Sequence, residues 1–164
     1  MIGLLVGVAG AAELVITNAR LWDGTGGAAQ EGAWIAVSGG RIEQIGTGAP
    51  PAGDETLDVD GRTVIPGLID AHVHLEAVPG AAFRADNAAA IEAGRRSGMA
   101  AYVACGVTTV LDVGIAFDTL AEIRSWQAEG AVGPRLLTLG PVLGPRHGYV
   151  EAFLPQHPGL DDIT

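Results

Sequence analysis

The chain has 164 residues, enough for one domain with a hydrophobic core or for a small domain joined to part of a larger one. With 48% hydrophobic and 17% charged residues, its composition is globular and excludes an extensively disordered chain. The net charge of −10, with Arg as the only basic residue besides His, argues against a nucleic-acid-binding surface, because phosphate binding needs clustered basic side chains.

Residues 1–12 form an apolar segment that ends in small residues. The segment resembles the hydrophobic region of a signal peptide, but it lacks the positive charges that normally precede that region. The sequence is therefore consistent with two interpretations, a cleaved leader and an ordinary N-terminal segment. An exported and a cytoplasmic location are the corresponding alternatives. We expect no stable membrane span, because the segment is too short to cross a bilayer.

Short strands and tight turns are predicted for residues 13–65, which we interpret as a small antiparallel subdomain. The strand-like segments are residues 14–22, 33–37, 41–45, 57–59 and 63–65. Gly39-Gly40 predicts a hairpin between two of them, and Asp60-Gly61 predicts a second hairpin between the last two.

Strands and helices alternate in the predictions for residues 66–164. The predicted strands are 68–73, 107–112 and 135–139, and the predicted helices are 86–104 and 120–129. Asp86 or Asn87 is the expected N-cap of the first helix, and Thr119 with Glu122 forms a predicted capping box for the second. This alternation indicates right-handed βαβ units with a parallel sheet.

The first of these parallel strands ends in an Asp-x-His-x-His pattern. Because strand side chains alternate between two faces, Asp70, His72 and His74 are expected on one face. Imidazole is a common ligand of zinc, so His72 and His74 are candidate metal ligands, and Asp70 is a candidate partner that orients a ligand. Two partly exposed histidines are the alternative, but active sites of (β/α) barrels lie at this end of the strands.

Several segments taken together resemble the amidohydrolase superfamily of metal-dependent hydrolases. They are Asn18–Gly24, Gly40–Gly46, Asp60–His74, Gly106–Asp112 and Gly133–Leu137. The segment that ends at His74 is the longest and the most specific, and the resemblance extends from Leu14 to about Gly148. The imidazolonepropionase and Xaa-Pro dipeptidase branch is the most similar one.

The resemblance implies a (β/α)8 TIM barrel flanked by a β-sandwich built from both chain ends. It implies that His72 and His74 bind a divalent metal, most simply Zn²⁺, with one or two ions in the complete protein. In this family a metal-bound hydroxide attacks the substrate, and the metal lowers the pKa of its water. The expected function is therefore hydrolysis of a C–N bond in a small molecule: a non-peptide amide, a cyclic amide or a dipeptide.

The chain also departs from the family. A complete barrel needs eight strands and about 250 residues, whereas three parallel strands are predicted here. The family's bridging carboxylated Lys has no counterpart, because the chain contains no Lys, and the remaining ligands come from later strands. We therefore expect the N-terminal part of a barrel, inactive alone, whose partner is the missing C-terminal half or a second copy. A non-catalytic remnant or one piece of a split protein is the alternative.

Four other residues have weaker functional interpretations. Asp112 ends the second parallel strand and His147 follows the third, so both are candidates for substrate contact. The alternatives are a structural hydrogen-bonding role for Asp112 and an ordinary polar loop position for His147. His157 is interpreted as a loop residue, and Cys105 as a buried small residue at a helix end without a catalytic role.

Overall fold

The computed structural model describes residues 11–76, 88–148 and 159–160, the last pair through the backbone alone. The chain divides into two compact units, Met1–Pro66 and Gly67–Thr164. Features of the sequence that fall outside the described residues are the candidate caps Asp86 and Asn87, the loop residue His157 and residues 1–10 of the apolar segment.

The first unit contains a five-stranded sheet. Its strands are β1 (Ala12–Leu21), β2 (Gln30–Ser38), β3 (Arg41–Thr47), β4 (Gly53–Asp58) and β5 (Thr63–Val64). The first three pair antiparallel in sequence order. Gly39 and Gly40 join β2 to β3 with φ angles of 56° and 68°, which a tight two-residue hairpin turn requires. This predicted hairpin is confirmed.

The second predicted hairpin is wrong. Asp60 and Gly61 do form a tight turn, with φ angles of 54° and 71°. However, β4 and β5 both pair parallel to β1, one after the other along the same strand. The N–H of Gly61 donates to the carbonyl of Asn18 at 2.8 Å, so the turn itself is attached to β1. The sheet is therefore mixed and not antiparallel throughout.

The second unit is built on a three-stranded parallel sheet in the order β6-β7-β8. Its elements are β6 (Leu68–Val73), α1 (Ala88–Ala104), β7 (Val107–Asp112), α2 (Phe117–Ala128) and β8 (Arg135–Thr138). Two short strands, β9 (Gly144–Pro145) and β10 (Gly159–Leu160), pair with each other in parallel. The predicted strand–helix alternation and parallel pairing are confirmed, and the three strands leave the sheet open.

One hydrophobic cluster joins the two helices to the sheet. Its buried members are Val73, Leu75, Met99, Val110, Ile115, Leu120, Ile123 and Trp126. Arg96 of α1 lies over the Trp126 ring of α2 at 4.1 Å from the centroid, a cation–π contact. Arg95 and Glu122 form a 3.2 Å ion pair between the same helices. The helices are thus fixed to each other and to one face of the sheet.

The start of α2 and the environment of Cys105 both differ from the predictions. The N-cap residue of α2 is Ala116, and it makes no side-chain cap bond. Thr119 lies inside the helix and Glu122 pairs with Arg95, so the predicted capping box is wrong. Cys105, directly after the last residue of α1, is exposed, so the prediction of a buried residue is wrong. In the described parts of the chain, no helix has the length and apolar character needed to cross a bilayer.

Candidate metal centre

His72 and His74 lie together at the carboxyl end of β6. Their imidazole centroids are 5.4 Å apart and the ring planes are inclined at 75°. Two imidazoles on one tetrahedral zinc, with Zn–N bonds of about 2.0–2.1 Å, have ring centres about 5 Å apart. Both residues are exposed, so an ion can reach them from solvent. The observed pair therefore fits two ligands of one ion.

A bulge in β6 determines which residues share a face. Asp70 pairs with Val110 and Val73 pairs with Asp112, so β6 has one residue more than β7 over this stretch. Val110 and Asp112 are two residues apart and share a face, so Asp70 and Val73 share it as well. Val73 and Val110 belong to the cluster that packs against α1 and α2. Asp70 therefore lies on the helix-covered face.

This arrangement overturns the expectation that Asp70 shares a face with both histidines. His72 and His74 flank Val73, which faces the helices, so the two histidine side chains point to the opposite face of the sheet. The charge of Asp70 instead acts on Tyr102 of α1, whose pKa is raised mainly by burial and further by Asp70 and Asp112. Oδ1 of Asp70 does accept the backbone N–H of His72 at 3.1 Å. A role for Asp70 in orienting a ligand stays a prediction, supported by this single backbone contact.

Asp112 is fully buried at the end of β7. Oδ2 accepts the N–H of Leu75 at 2.7 Å and Oδ1 accepts the N–H of Gly114 at 2.8 Å. Both oxygens are thus engaged with backbone donors from two segments. These bonds favour the structural alternative for Asp112, and substrate contact stays a prediction.

Sequence reasoning missed Glu76, which follows the histidine pair by two residues. Its Oε1 accepts the hydroxyl of Thr119 at 2.9 Å, and its Oε2 accepts the N–H of Ala116 at 3.4 Å. A carboxylate at a helix N-terminus satisfies free N–H groups and complements the helix dipole. The only local signal was an acidic residue directly after the motif, because its partners lie about forty residues later in the chain.

His147 lies in the turn after β9, where it is exposed and has a φ angle of 59°. Across residues 11–76 and 88–148, no group of three or more His, Cys, Asp or Glu side chains is arranged to hold a metal ion. The described residues therefore bring together His72 and His74 without a third ligand. Substrate contact by His147 is a prediction that these contacts do not test.

Residues 63–160 match the sequence profile of the amidohydrolase family. The chain belongs to the amidohydrolase family. Its sequence is 43% identical over 79 residues to that of the N-substituted formamide deformylase of Arthrobacter pascens. This alignment covers 45% of this chain and 14% of that protein. The chain is 32% identical over 115 residues to the dihydroorotase of Streptococcus pneumoniae, and this alignment covers 70% of this chain and 25% of that protein.

The fold is similar to that of solved amidohydrolase-type structures. A Xaa-Pro dipeptidase with bound methionine in its active site aligns over 92% of this chain and 38% of its own, with a TM-score of 0.65 and 25% identity. This amidohydrolase chain thus spans a quarter or less of the two curated relatives and little more than a third of the solved one. Its N-terminal sheet and parallel β–α units correspond to part of the amidohydrolase fold.

Proposed function

We propose that the protein carrying this chain is a metal-dependent hydrolase of C–N bonds, in which His72 and His74 hold a divalent ion, with Zn²⁺ as the first candidate. The observation that carries this proposal is the 5.4 Å imidazole pair at the carboxyl end of β6. Membership of the amidohydrolase family supports the reaction class. The names of the relatives, a deformylase, a dihydroorotase and a Xaa-Pro dipeptidase, support an amide-type bond in a small molecule.

The residues of this chain would act by holding and orienting the two imidazoles. A divalent ion bound by His72 and His74 would supply a water of lowered pKa and a Lewis acid for a substrate carbonyl. His72 and His74 would hold the cation through neutral imidazole nitrogens. Asp70 fixes the backbone of His72, and the carboxylates of Asp112 and Glu76 fix the segment that follows His74.

We also propose that β6, β7 and β8 are the first strands of a (β/α)8 barrel, and that the N-terminal sheet is part of a β-sandwich. Ile69 and Leu137 support the barrel. They alternate with helix-facing neighbours on their strands, so they lie on the open face, and they are 72% and 51% exposed. Apolar side chains on such a face need cover. The remaining barrel strands or a second copy of the chain would provide it.

A non-catalytic chain is the second candidate. Its support is that the described residues bring no third ligand beside His72 and His74. This candidate predicts at most weak metal binding and no turnover. The two candidates are therefore separated by measurements of metal content and hydrolysis.

The test is hydrolysis by the full-length protein of N-formyl amines, dihydroorotate and Xaa-Pro dipeptides, after metal removal and after Zn²⁺ is restored. We expect turnover of at least one substrate class that depends on restored Zn²⁺ and is lost in the His72→Ala/His74→Ala variant. The control variant is Asp118→Asn. Asp118 is exposed, so this variant should keep the activity. Undiminished, metal-independent activity in the double variant would contradict the proposal, and absence of turnover on all three classes would favour the non-catalytic candidate.

A further inference from the structure

We propose that Asp112 is a positioning residue for the imidazole of His74, an inference that rests on the proposed metal-binding function of the histidine pair. The strand β6 ends at Val73, so His74 lies beyond the regular part of the sheet. The segment before His74 is held there by the residue after β7, because the N–H of Val113 donates to the carbonyl of Val73 at 3.2 Å. The position of His74 thus depends on contacts from the end of β7.

Asp112 ties together the two segments that border His74. One carboxylate oxygen accepts from Leu75, the next residue after His74, and the other accepts from Gly114, two residues after Asp112. Hydrogen bonds to an ionised carboxylate are stronger than those between neutral groups. Asp112 is fully buried, so loss of either bond leaves a polar group without its partner in a water-poor site. These two bonds therefore set the spacing between the segments.

The His74 ring lies beside Gly114. A Cβ atom at position 114 would lie 3.4 Å from both Cε1 and Nδ1 of His74. It would also lie 2.5 Å from a methyl carbon of Val142, closer than two carbon atoms can pack. Gly114 is thus a neighbour of the ring, and Asp112 holds Gly114 through the 2.8 Å bond.

His72 offers an internal comparison, because its contacts are different. Its backbone N–H donates to Asp70, on β6 itself, and it lies inside the strand. A change at Asp112 should therefore move the His74 ring relative to His72. The distance between the two imidazoles, which sets the affinity for an ion, should change as a consequence.

The test uses the full-length protein with isotope-labelled histidine and the variant Asp112→Asn. The Asn side chain keeps one acceptor oxygen and loses the other. In the metal-free protein we expect the Cε1–Hε1 resonance of His74 to shift by more than that of His72, whose ring lies 5.4 Å away. Affinity for Co²⁺, followed through its visible absorption, should fall by about 10–100-fold, the usual effect of losing a group that orients a metal ligand.

The matched control is Asp118→Asn, an identical chemical change at an exposed residue in the first turn of α2. It should leave both histidine resonances and Co²⁺ affinity unchanged. Gly114→Ala is the second variant, because it keeps the backbone N–H bonded to Asp112 while its added methyl group clashes with Val142, so that residue 114 must shift beside the His74 ring. We expect it to shift the His74 resonance as well.

Unchanged His74 resonance and Co²⁺ affinity in folded Asp112→Asn would overturn the inference. If Asp112→Asn does not fold, Gly114→Ala decides: an unshifted His74 resonance overturns the positioning role and a shifted one supports it. Failure of the proposed metal-binding function is distinguishable from failure of the positioning role, because it appears as undiminished Co²⁺ binding in His72→Ala/His74→Ala. The metal-free resonances would still report whether Asp112 positions the ring.

Discussion

The carboxylate of Glu76 accepts a 2.9 Å hydrogen bond from the hydroxyl of Thr119, which joins the segment after the histidine pair to the first turn of α2. The second oxygen of Glu76 accepts the N–H of Ala116, the residue before the helix. A residue outside the helix therefore accepts one backbone N–H at its N-terminus. The loop that carries His74 is consequently anchored both to α2 and, through Asp112, to β7.

This anchor predicts that Thr119 and Glu76 are energetically coupled. In a double-mutant cycle of Thr119→Val and Glu76→Ala, measured by urea unfolding, we expect a coupling free energy of about 0.5–1.5 kcal/mol. The matched cycle of Thr119→Val with Glu122→Ala should be additive within about 0.5 kcal/mol, because Glu122 pairs with Arg95. Coupling to Glu122 without coupling to Glu76 would mean that the capping box exists after all.

The core of the second unit depends on Ile123, which is fully buried between α2 and the sheet. Ile123→Ala removes buried methyl groups and leaves a cavity, so the free energy of unfolding should fall by about 2–5 kcal/mol. Val132→Ala is the control at a 62% exposed position and should stay within about 0.5 kcal/mol. Equal small effects at both positions would show that α2 does not pack as described.

Two Gly→Ala substitutions should change the free energy of unfolding in opposite directions. A Cβ at Gly46 would lie 2.5 Å from the Trp34 indole across the β2–β3 pair, so Gly46→Ala should destabilise by about 1–3 kcal/mol. A Cβ at Gly98, inside α1, meets no atom within 4 Å, so Gly98→Ala should stabilise by about 0.5–1 kcal/mol. Urea unfolding measures both, and a stabilising Gly46→Ala would contradict the Trp34 contact.

Tyr102 predicts how stability depends on alkaline pH. Burial, and then the charges of Asp70 and Asp112, raise the pKa of its phenol above 10.0. A raised pKa means that the folded state keeps the proton more tightly. Its contribution to stability is therefore complete below about pH 10 and is lost as the pH rises through the folded pKa.

The measurement is the phenolate absorbance of the native protein minus that of Tyr102→Phe, during a titration with base. We expect the difference spectrum to report ionisation above 10.0, and the variant to lose less stability than the unmodified chain over this alkaline range. Ionisation at or below 10.0 would contradict the buried, acid-flanked placement of Tyr102.

Much of the second unit was predictable from the sequence. The bounds of β6 and β7 match the predicted strands, because runs of β-branched and apolar residues are bounded there by Pro66-Gly67 and Gly106. The histidine pair was predictable for the same reason: the strand end and the His-x-His spacing are both local features. Parallel pairing followed from the alternation of strands and helices.

The errors come from interactions that local sequence does not encode. The turn at Asp60-Gly61 was predicted from its residue types, but β5 pairs with β1 and not with its neighbour. The bulge after Asp70 shifts the two-residue period, so simple alternation assigned Asp70 to the wrong face. Thr119 was predicted to cap its own helix together with Glu122, but its hydroxyl donates to Glu76 from a distant loop.

Zn²⁺ binding by the histidine pair tests the central claim most directly. The measurement is equilibrium dialysis of the full-length protein against Zn²⁺, followed by metal analysis, beside His72→Ala, His74→Ala and the double variant. The 5.4 Å pair predicts bound Zn²⁺ in the unmodified protein, weaker binding in each single variant and at least one fewer ion per chain in the double variant. Equal Zn²⁺ content in the double variant and the unmodified protein would contradict the assignment of this metal centre.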